Sequence, residues 1–511
     1  MIRVRHRVRG MITPIALILT ACSQASPTRP PDSPSQILGT GETLIAEIDM
    51  DAILFDTFTV SPNGRRVAYS AQYSDGHRVF LDNVPEGPYE ELQQSPPIFS
   101  PDGEQLAYVA DVDGDRYVVV NGRRLGPYQD IGVPVFSPQD GRLAFKVRLG
   151  PWQAMVLGDE TLTNYDQVDN PHFGANGRLA YSARDDDEWF AVIDGQAGAR
   201  YDDVYFPAQP FSADGRRVAY LGVRAQDWYV VIDGEEFGPY AGVADGSLTF
   251  SSDGSRVAYL AQVGEGWRVI VDGVAGRLLD SAGAPAFSAD GAHWMHPASW
   301  GGRSYLVVDG STLGPYRAIA PPPGVAFSPQ GGRYAYFAQE GDSWYAFTDG
   351  ERGPGFTAVA PLSLTFSPDG ERFAYAALRG EDWMVVDQGR ELGPYAAVVD
   401  GSFAFSPDGN HLAFIIQTGE TYQVVLDGEL GTSYPTILAG HVVFSPDGSR
   451  LAYAASRGES RFVVLDGEEG PGFEALILGS VGTIVFDGPD TLHYLGLRGS
   501  EIYLVETGAA G

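Results

Sequence analysis

The sequence predicts an all-β chain of four-stranded blades, a β-propeller, on three observations. One phrase recurs along the chain, its spacing is nearly constant, and no long helical periodicity interrupts it. The phrase is best kept at Val442-Val443-Phe444-Ser445-Pro446-Asp447-Gly448-Ser449-Arg450-Leu451-Ala452-Tyr453. Apolar β-branched and aromatic residues run into Ser-Pro-Asp-Gly, a tight turn, and strand alternation resumes with Leu451 and Tyr453. Near-copies stand at Phe99, Phe136, Phe173, Phe211, Phe250, Phe287, Phe327, Phe366, Phe405 and Phe444, with looser versions at Val60 and Phe486, making twelve repeats. Phe366, Phe405 and Phe444 lie 39 residues apart, close to the length of one four-stranded blade. With 511 residues and 44% hydrophobic content, the chain has ample material for a core, and stacked repeats replace the several domains that length would otherwise suggest.

Residues 1–21 read as a targeting segment: Arg3, Arg5, Arg7 and Arg9 make a basic start, and Ile12 to Ala21 form an apolar run too short to remain as a spanning helix. The segment closes on Leu19-Thr20-Ala21-Cys22, which resembles the lipobox of bacterial lipoproteins. That resemblance implies lipidation of Cys22, and Ser23, rather than Asp, after the cysteine implies the outer membrane, with the body in the periplasm or at the cell surface. Cys22 is the only cysteine, so no intrachain disulfide can form. Residues 22–42 follow as a Pro/Ser-rich tether with no apolar periodicity, and residues 43–511 hold the repeats.

Within the repeat at Phe211, strand A ends at Phe211-Ser212 and Ala213-Asp214-Gly215 makes the turn. Arg217 to Gly222 reads as strand B and Trp228 to Ile232 as strand C, with Asp233-Gly234 as a two-residue hairpin turn. Strand D is expected after Gly238-Pro239-Tyr240, running towards Val243.

The complete phrases at Phe99, Phe366, Phe405 and Phe444, each Phe-Ser-Pro-Asp-Gly, resemble the WD40-like propeller repeats of the TolB type. The resemblance spans nearly the whole chain after the tether. It implies a propeller but not TolB's role, since no separate N-terminal domain of the TolB kind is visible. The Gly-Pro-Tyr extension, as at Gly126-Pro127-Tyr128, Gly314-Pro315-Tyr316 and Gly393-Pro394-Tyr395, carries no assigned function.

The last repeat supplies strands A to C and ends at Glu501-Ile502-Tyr503-Leu504-Val505. The N-terminal β-prone segment, Leu44 to Ile48 or Ala52 to Phe55, is therefore expected to provide its missing outer strand and remove an exposed edge. Because propellers usually have four to eight blades, twelve repeats favour two six-bladed rings with a boundary near residues 275–290, and a single large ring is the alternative.

Charge narrows the partners. Without the four leader arginines, 30 basic residues face 66 acidic ones, a formal charge of −36, which repels phosphate backbones and anionic headgroups and argues against nucleic acid. The Asp of each Ser-Pro-Asp-Gly reads as a turn residue rather than a metal ligand. Asp111-Val112-Asp113-Gly114-Asp115 resembles a calcium loop only superficially, since its glycine falls two positions early and no glutamate stands at position twelve. Asp185-Asp186-Asp187-Glu188 reads as a solvated charge cluster in the same turn of a later repeat. His293 and His296, three apart on a strand, point to opposite sides and do not converge on one metal. No nucleophile elbow, zinc-protease or phosphate-loop motif occurs, and Lys146 is the only lysine. No cofactor, metal or catalytic residue is expected.

Trp189, Trp228, Trp267 and Trp344 each stand five residues before the Asp of the second hairpin turn, with Trp152 placed more loosely. They are the candidate binding positions, a stacking band at one level, set against packing between blades. The function expected is a non-enzymatic envelope lipoprotein, membrane-attached through Cys22, whose propeller holds a protein or peptide. The alternatives are a propeller hydrolase or lyase acting on glycans or peptides, and a passive surface or matrix component.

Overall fold

The structure, a computed structural model, describes residues 40–93, 95–438, 442–477 and 484–507. The leader, most of the tether and Cys22 lie outside the described residues. Twelve antiparallel sheets follow one another along the chain. The tenth shows the plan: strand A is Ala397–Val398 and Ala404–Phe405, B is Leu412–Thr418, C is Thr421–Leu426 and D is Glu429–Tyr434. A–B and C–D turns therefore share one face of the ring, and B–C turns and D–A crossovers share the other.

The A–B turn shows why Ser-Pro-Asp-Gly recurs. Ser406 Oγ donates to Asp408 Oδ1 (2.5 Å), and the same hydroxyl accepts the His411 amide (2.9 Å). Gly409 takes φ +74°, and a Cβ there would stand 2.9 Å from Asp369 Oδ2 of the preceding blade. The glycine is thus required by its own backbone and by its neighbour's carboxylate. These hydrogen bonds hold Asp408 and Asp253 at pKa values of about 2.

The C–D turn also does two jobs. Asp233 and Gly234 both have positive φ (52° and 89°), as a type I′ hairpin turn demands, while Asp233 Oδ1 accepts the amide of Val218 in strand B. Asp233 Oδ2 meets Arg217 Nε at 2.8 Å. Arg217 also donates to Ser255 O of the next blade and lies 5.3 Å from the centre of the Phe250 ring there. Equivalent links run from Arg178 to Arg216 O and Phe211, and from Arg256 to Ala292 O and Phe287.

Strand A breaks in the middle, and polar side chains repair the ladder. In blades 1, 6, 9 and 10 a buried Thr57, Ser247, Ser363 or Ser402 hydroxyl accepts the strand-B amide left by the break. Replacing Ser363 by Ala would leave the buried Ala376 N–H without an acceptor. A loss of about 1–3 kcal/mol is expected in denaturant titration, with Ser363→Thr, the residue type of blade 1, retaining most of the stability. Pro297 occupies the same strand-B position in blade 7, where a missing N–H does no harm.

The chain closes as one ring. Gly41–Glu47 pairs antiparallel with Glu501–Glu506 as the outer strand of blade 12, whereas Ile53–Val60 is strand A of blade 1. Glu42 on the closing strand meets Arg498 at 3.1 Å, and Arg498 lies over Phe473 of blade 11. The same Glu–Arg–aromatic set joins blades 4 and 5 through Glu236, Arg224 and Tyr201. At the seam, His493 is 1% exposed, with Nδ1 2.8 Å from Asp487 Oδ2 and Nε2 2.9 Å from the Asn63 carbonyl. Arg65 reaches Asp487 (2.9 Å) and Glu506 (2.6 Å).

Two expectations are corrected. In two six-bladed rings blade 6 would pack on blade 1. Instead Leu260 and Val269 of blade 6 pack with Phe287 and Trp294 of blade 7, while Ile502 and Leu504 of blade 12 pack with Phe58 and Tyr69 of blade 1. Residues 275–290 lie across the seam between blades 6 and 7. Strand D is the second correction: it runs Glu235–Tyr240 directly from the turn, with Gly238 (φ +142°) in its bulge, and Gly242–Val243 already belongs to the next strand A.

Candidate partner-binding face

The face of B–C turns and D–A crossovers is where the blades differ most. Trp189, Trp228, Trp267 and Trp344 all occupy the second position of strand C, half-buried. Trp189, Trp267 and Trp344 pack against the clusters shared with the following blade. They stand at one level, but each in its own seam. Trp152, one position earlier, is 45% exposed. Trp383 holds the equivalent place in blade 9 and packs between blades 9 and 10. Its five-residue spacing ends on Gln388 rather than Asp, which hid it in the sequence.

Trp228 is the member with an exposed aromatic partner. Tyr205, in strand A of blade 5, stacks on it at 5.6 Å with planes 19° apart and is 45% exposed. Tyr205 OH donates to Asp203 Oδ2 (2.6 Å), and burial together with that carboxylate pushes its pKa up to about 12. Nothing in the repeat pattern announces Tyr205, because its position carries other residue types in other blades.

The remaining candidates are accounted for by local structure. Asp111 is held by Nε and Nη2 of Arg116 at 2.8 and 3.0 Å, and Nη1 reaches Asp130 at 3.1 Å. Arg200 lies 3.6 Å from Glu188 in the acidic turn of blade 4. His293 faces Asp309 at 2.6 Å, taking the place that arginine fills in neighbouring blades, whereas His296 is 3% exposed and stacks on Trp294. Burial holds His296 at a pKa of about 4. Among the described residues no group of three or more His, Cys, Asp and Glu side chains is gathered that could hold a metal ion. A groove of about 290 Å³ between blades 5 and 6, on the opposite face, is lined by Arg217, Asp233 and Asp272. Arg217 and Asp233 pair with each other there and Asp272 pairs with Arg256, so three of its four charged lining groups, the fourth being Glu235, are engaged within the fold.

A scan against protein-family models finds no match, and neither does a comparison with curated proteins. Solved structures similar to the chain include a eukaryotic initiation factor, 12% identical over 72% of this chain and 96% of that one, with a TM-score of 0.35. The Dos1 propeller is 11% identical over 58% of this chain and 90% of its own, with a TM-score of 0.29. The Swd1 propeller domain of Myceliophteria thermophila is 12% identical over 52% and 98%, with a TM-score of 0.25. The sheet order and the seam contacts make this chain a twelve-bladed β-propeller.

Proposed function

We propose that the chain is a non-enzymatic scaffold of the bacterial cell envelope, a lipoprotein tethered through Cys22 whose ring holds a protein partner on its face of B–C turns and D–A crossovers. The observation that carries this reading is the division of labour between the two faces. On the face of A–B and C–D turns, Ser, Asp and Arg side chains repeatedly pair with one another and with the next blade, as at Asp408, Arg217 and Arg256. On the other face, blade-specific side chains such as Trp152 and Tyr205 are left exposed. Variation on a rigid repeat scaffold is where binding function resides. The leader pattern resembling a lipobox supports the anchor, and the acidic balance favours a neutral or basic partner over nucleic acid.

The anchor is tested by Cys22→Ser in the full chain: release from the membrane fraction is expected, and unchanged membrane association refutes lipid tethering. The scaffold role is tested by purifying the tagged lipoprotein from detergent-solubilised envelopes. One stoichiometric envelope protein is the expected companion; a clean monomer counts against the reading and turns attention to glycans and small ligands.

A further inference from the structure

Blades 5 and 6 close the same upper cleft with apolar side chains. Tyr205 and Trp228 stand opposite Leu221 and Val223 of strand B, on the side that faces blade 6. Val263 ends strand B of blade 6 on the side whose Val257, Tyr259 and Ala261 pack back on blade 5, and it is 38% exposed. Across the B–C hairpin, Gly266 pairs with Val263 and leaves room for Leu278, 48% exposed, which lies where a Cβ on Gly266 would be 2.9 Å from its Cδ1.

Four other seams cover this spot with an arginine, while blades 2 and 3 carry Val112 and Leu149 there. At the Val263 position, blades 5, 9, 11 and 12 carry Arg224, Arg379, Arg457 and Arg498, each over the aromatic ring that ends the outer strand of the preceding blade: Tyr201, Phe356, Tyr434 and Phe473. Glu236, Glu391, Glu469 and Glu42 hold those guanidinium groups. Between blades 5 and 6 the ring is Tyr240, the covering residue is Val263, and Ala275 stands where the glutamate would be. Asp227 and Glu265 are exposed in the B–C turns of blades 5 and 6, and Asp245 is exposed in the strand-A break of blade 6; Arg268, paired with Ala261 and so on the side facing blade 5, donates to the Gly276 carbonyl.

We infer that this seam is the docking point for an arginine of a partner protein, with an apolar neighbour of that arginine laid on Val263 and Leu278. The fold builds the same cation-on-aromatic arrangement four times with its own arginines, and a desolvated cation–π contact beside carboxylates is among the stronger exposed interactions. The chain's acidic balance selects a cationic segment over an acidic one. This inference rests on the scaffold reading and names its surface.

Val263→Arg tests it with little risk to folding, because four other blades already place arginine there. Random twelve-residue peptides displayed on phage are panned against the full ring, and the enriched peptides are then titrated by Trp fluorescence. Enrichment of Arg beside Leu, Phe or Tyr is expected, with binding at least tenfold weaker to Val263→Arg and to Tyr205→Ala and unchanged for Leu430→Ala, an exposed apolar control in blade 10. Peptides without a basic residue, peptides indifferent to both variants, or no enrichment at all each overturn the assignment. If an envelope protein co-purifies equally well with Val263→Arg, the scaffold reading stands and this surface falls; if no partner is found for the parent chain, the scaffold reading itself fails.

Discussion

A His296→Phe variant is expected to abolish most of the loss of stability that the parent suffers between pH 7 and pH 4. His296 is the third residue of strand B in blade 7, a position filled by Tyr or Phe in all the other blades, among them Tyr259, Tyr336, Phe145 and Phe414. Burial lowers its folded pKa to about 4, below the ordinary value of 6.5. Between those two values the unfolded chain takes up a proton that the folded chain refuses. The stability is therefore whole above pH 6.5 and is lost as pH falls, by about 3 kcal/mol at pH 4. His172 is shifted in the same direction by its burial. Phe is larger than His, so the pH slope rather than the stability at pH 7 is the readout. Urea midpoints of parent and variant across pH 4–7 decide the matter: parallel curves would show that His296 charges freely in the folded state.

Removing residues 41–47 is expected to have the largest effect of any short deletion. It strips the outer strand from blade 12 and exposes the edge of Glu501–Glu506. It also removes Ala46 from the cluster that joins blades 12 and 1 and takes Glu42 from Arg498. Lost burial of Ile45 and Ala46, and of Ile48 as the chain beyond them frays, comes to roughly 3–5 kcal/mol, before the cost of an open strand edge. The truncated protein should melt well below the parent and form soluble aggregates or strand-paired dimers in size-exclusion chromatography with light scattering. A monomer with the parent's melting temperature would mean that closure rests on the apolar contacts of Ile502 and Leu504 with Phe58 and Tyr69 and on the bonds of His493, Arg65 and Asp487.

Much of this architecture is written in local chemistry. Asp233-Gly234 announces a hairpin because few dipeptides accept two positive φ values, and Ser406-Pro407-Asp408-Gly409 announces a turn that closes on its own hydroxyl and carboxylate. The unpaired last repeat likewise calls for a closing strand from the N-terminal β-prone segment, Leu44 to Ile48 and Ala52 to Phe55: Gly41–Glu47 takes the role, while Ile53–Val60 is strand A of blade 1. The number of blades in a ring depends instead on the angle at each seam. That angle is set by contacts such as Arg217 on Ser255 O and Gly409 against Asp369, between residues about one repeat apart, which a repeat period does not encode. Gly238-Pro239 reads as a strand break but is absorbed as a bulge, so strand D begins at Glu235, before the break rather than after it. For the tryptophans, spacing gives the level on the blade, while the next blade's side chains decide what each ring touches. Trp344 meets a filled seam and Trp228 meets Tyr205.

The pairing of Gly41–Glu47 with Glu501–Glu506 also sets the timetable of synthesis. The first strand of the ring to leave the ribosome has no partner until the last blade emerges, some 460 residues later. At 5–20 residues per second that is a wait of about 25–90 s. Blades 1 to 11 can stack in order on their predecessors meanwhile, each through contacts with its nearest neighbour. Closure is the one event of very high contact order, so it should be the slow step of folding and the stage at which the nascent chain most needs protection from pairing with another copy of itself.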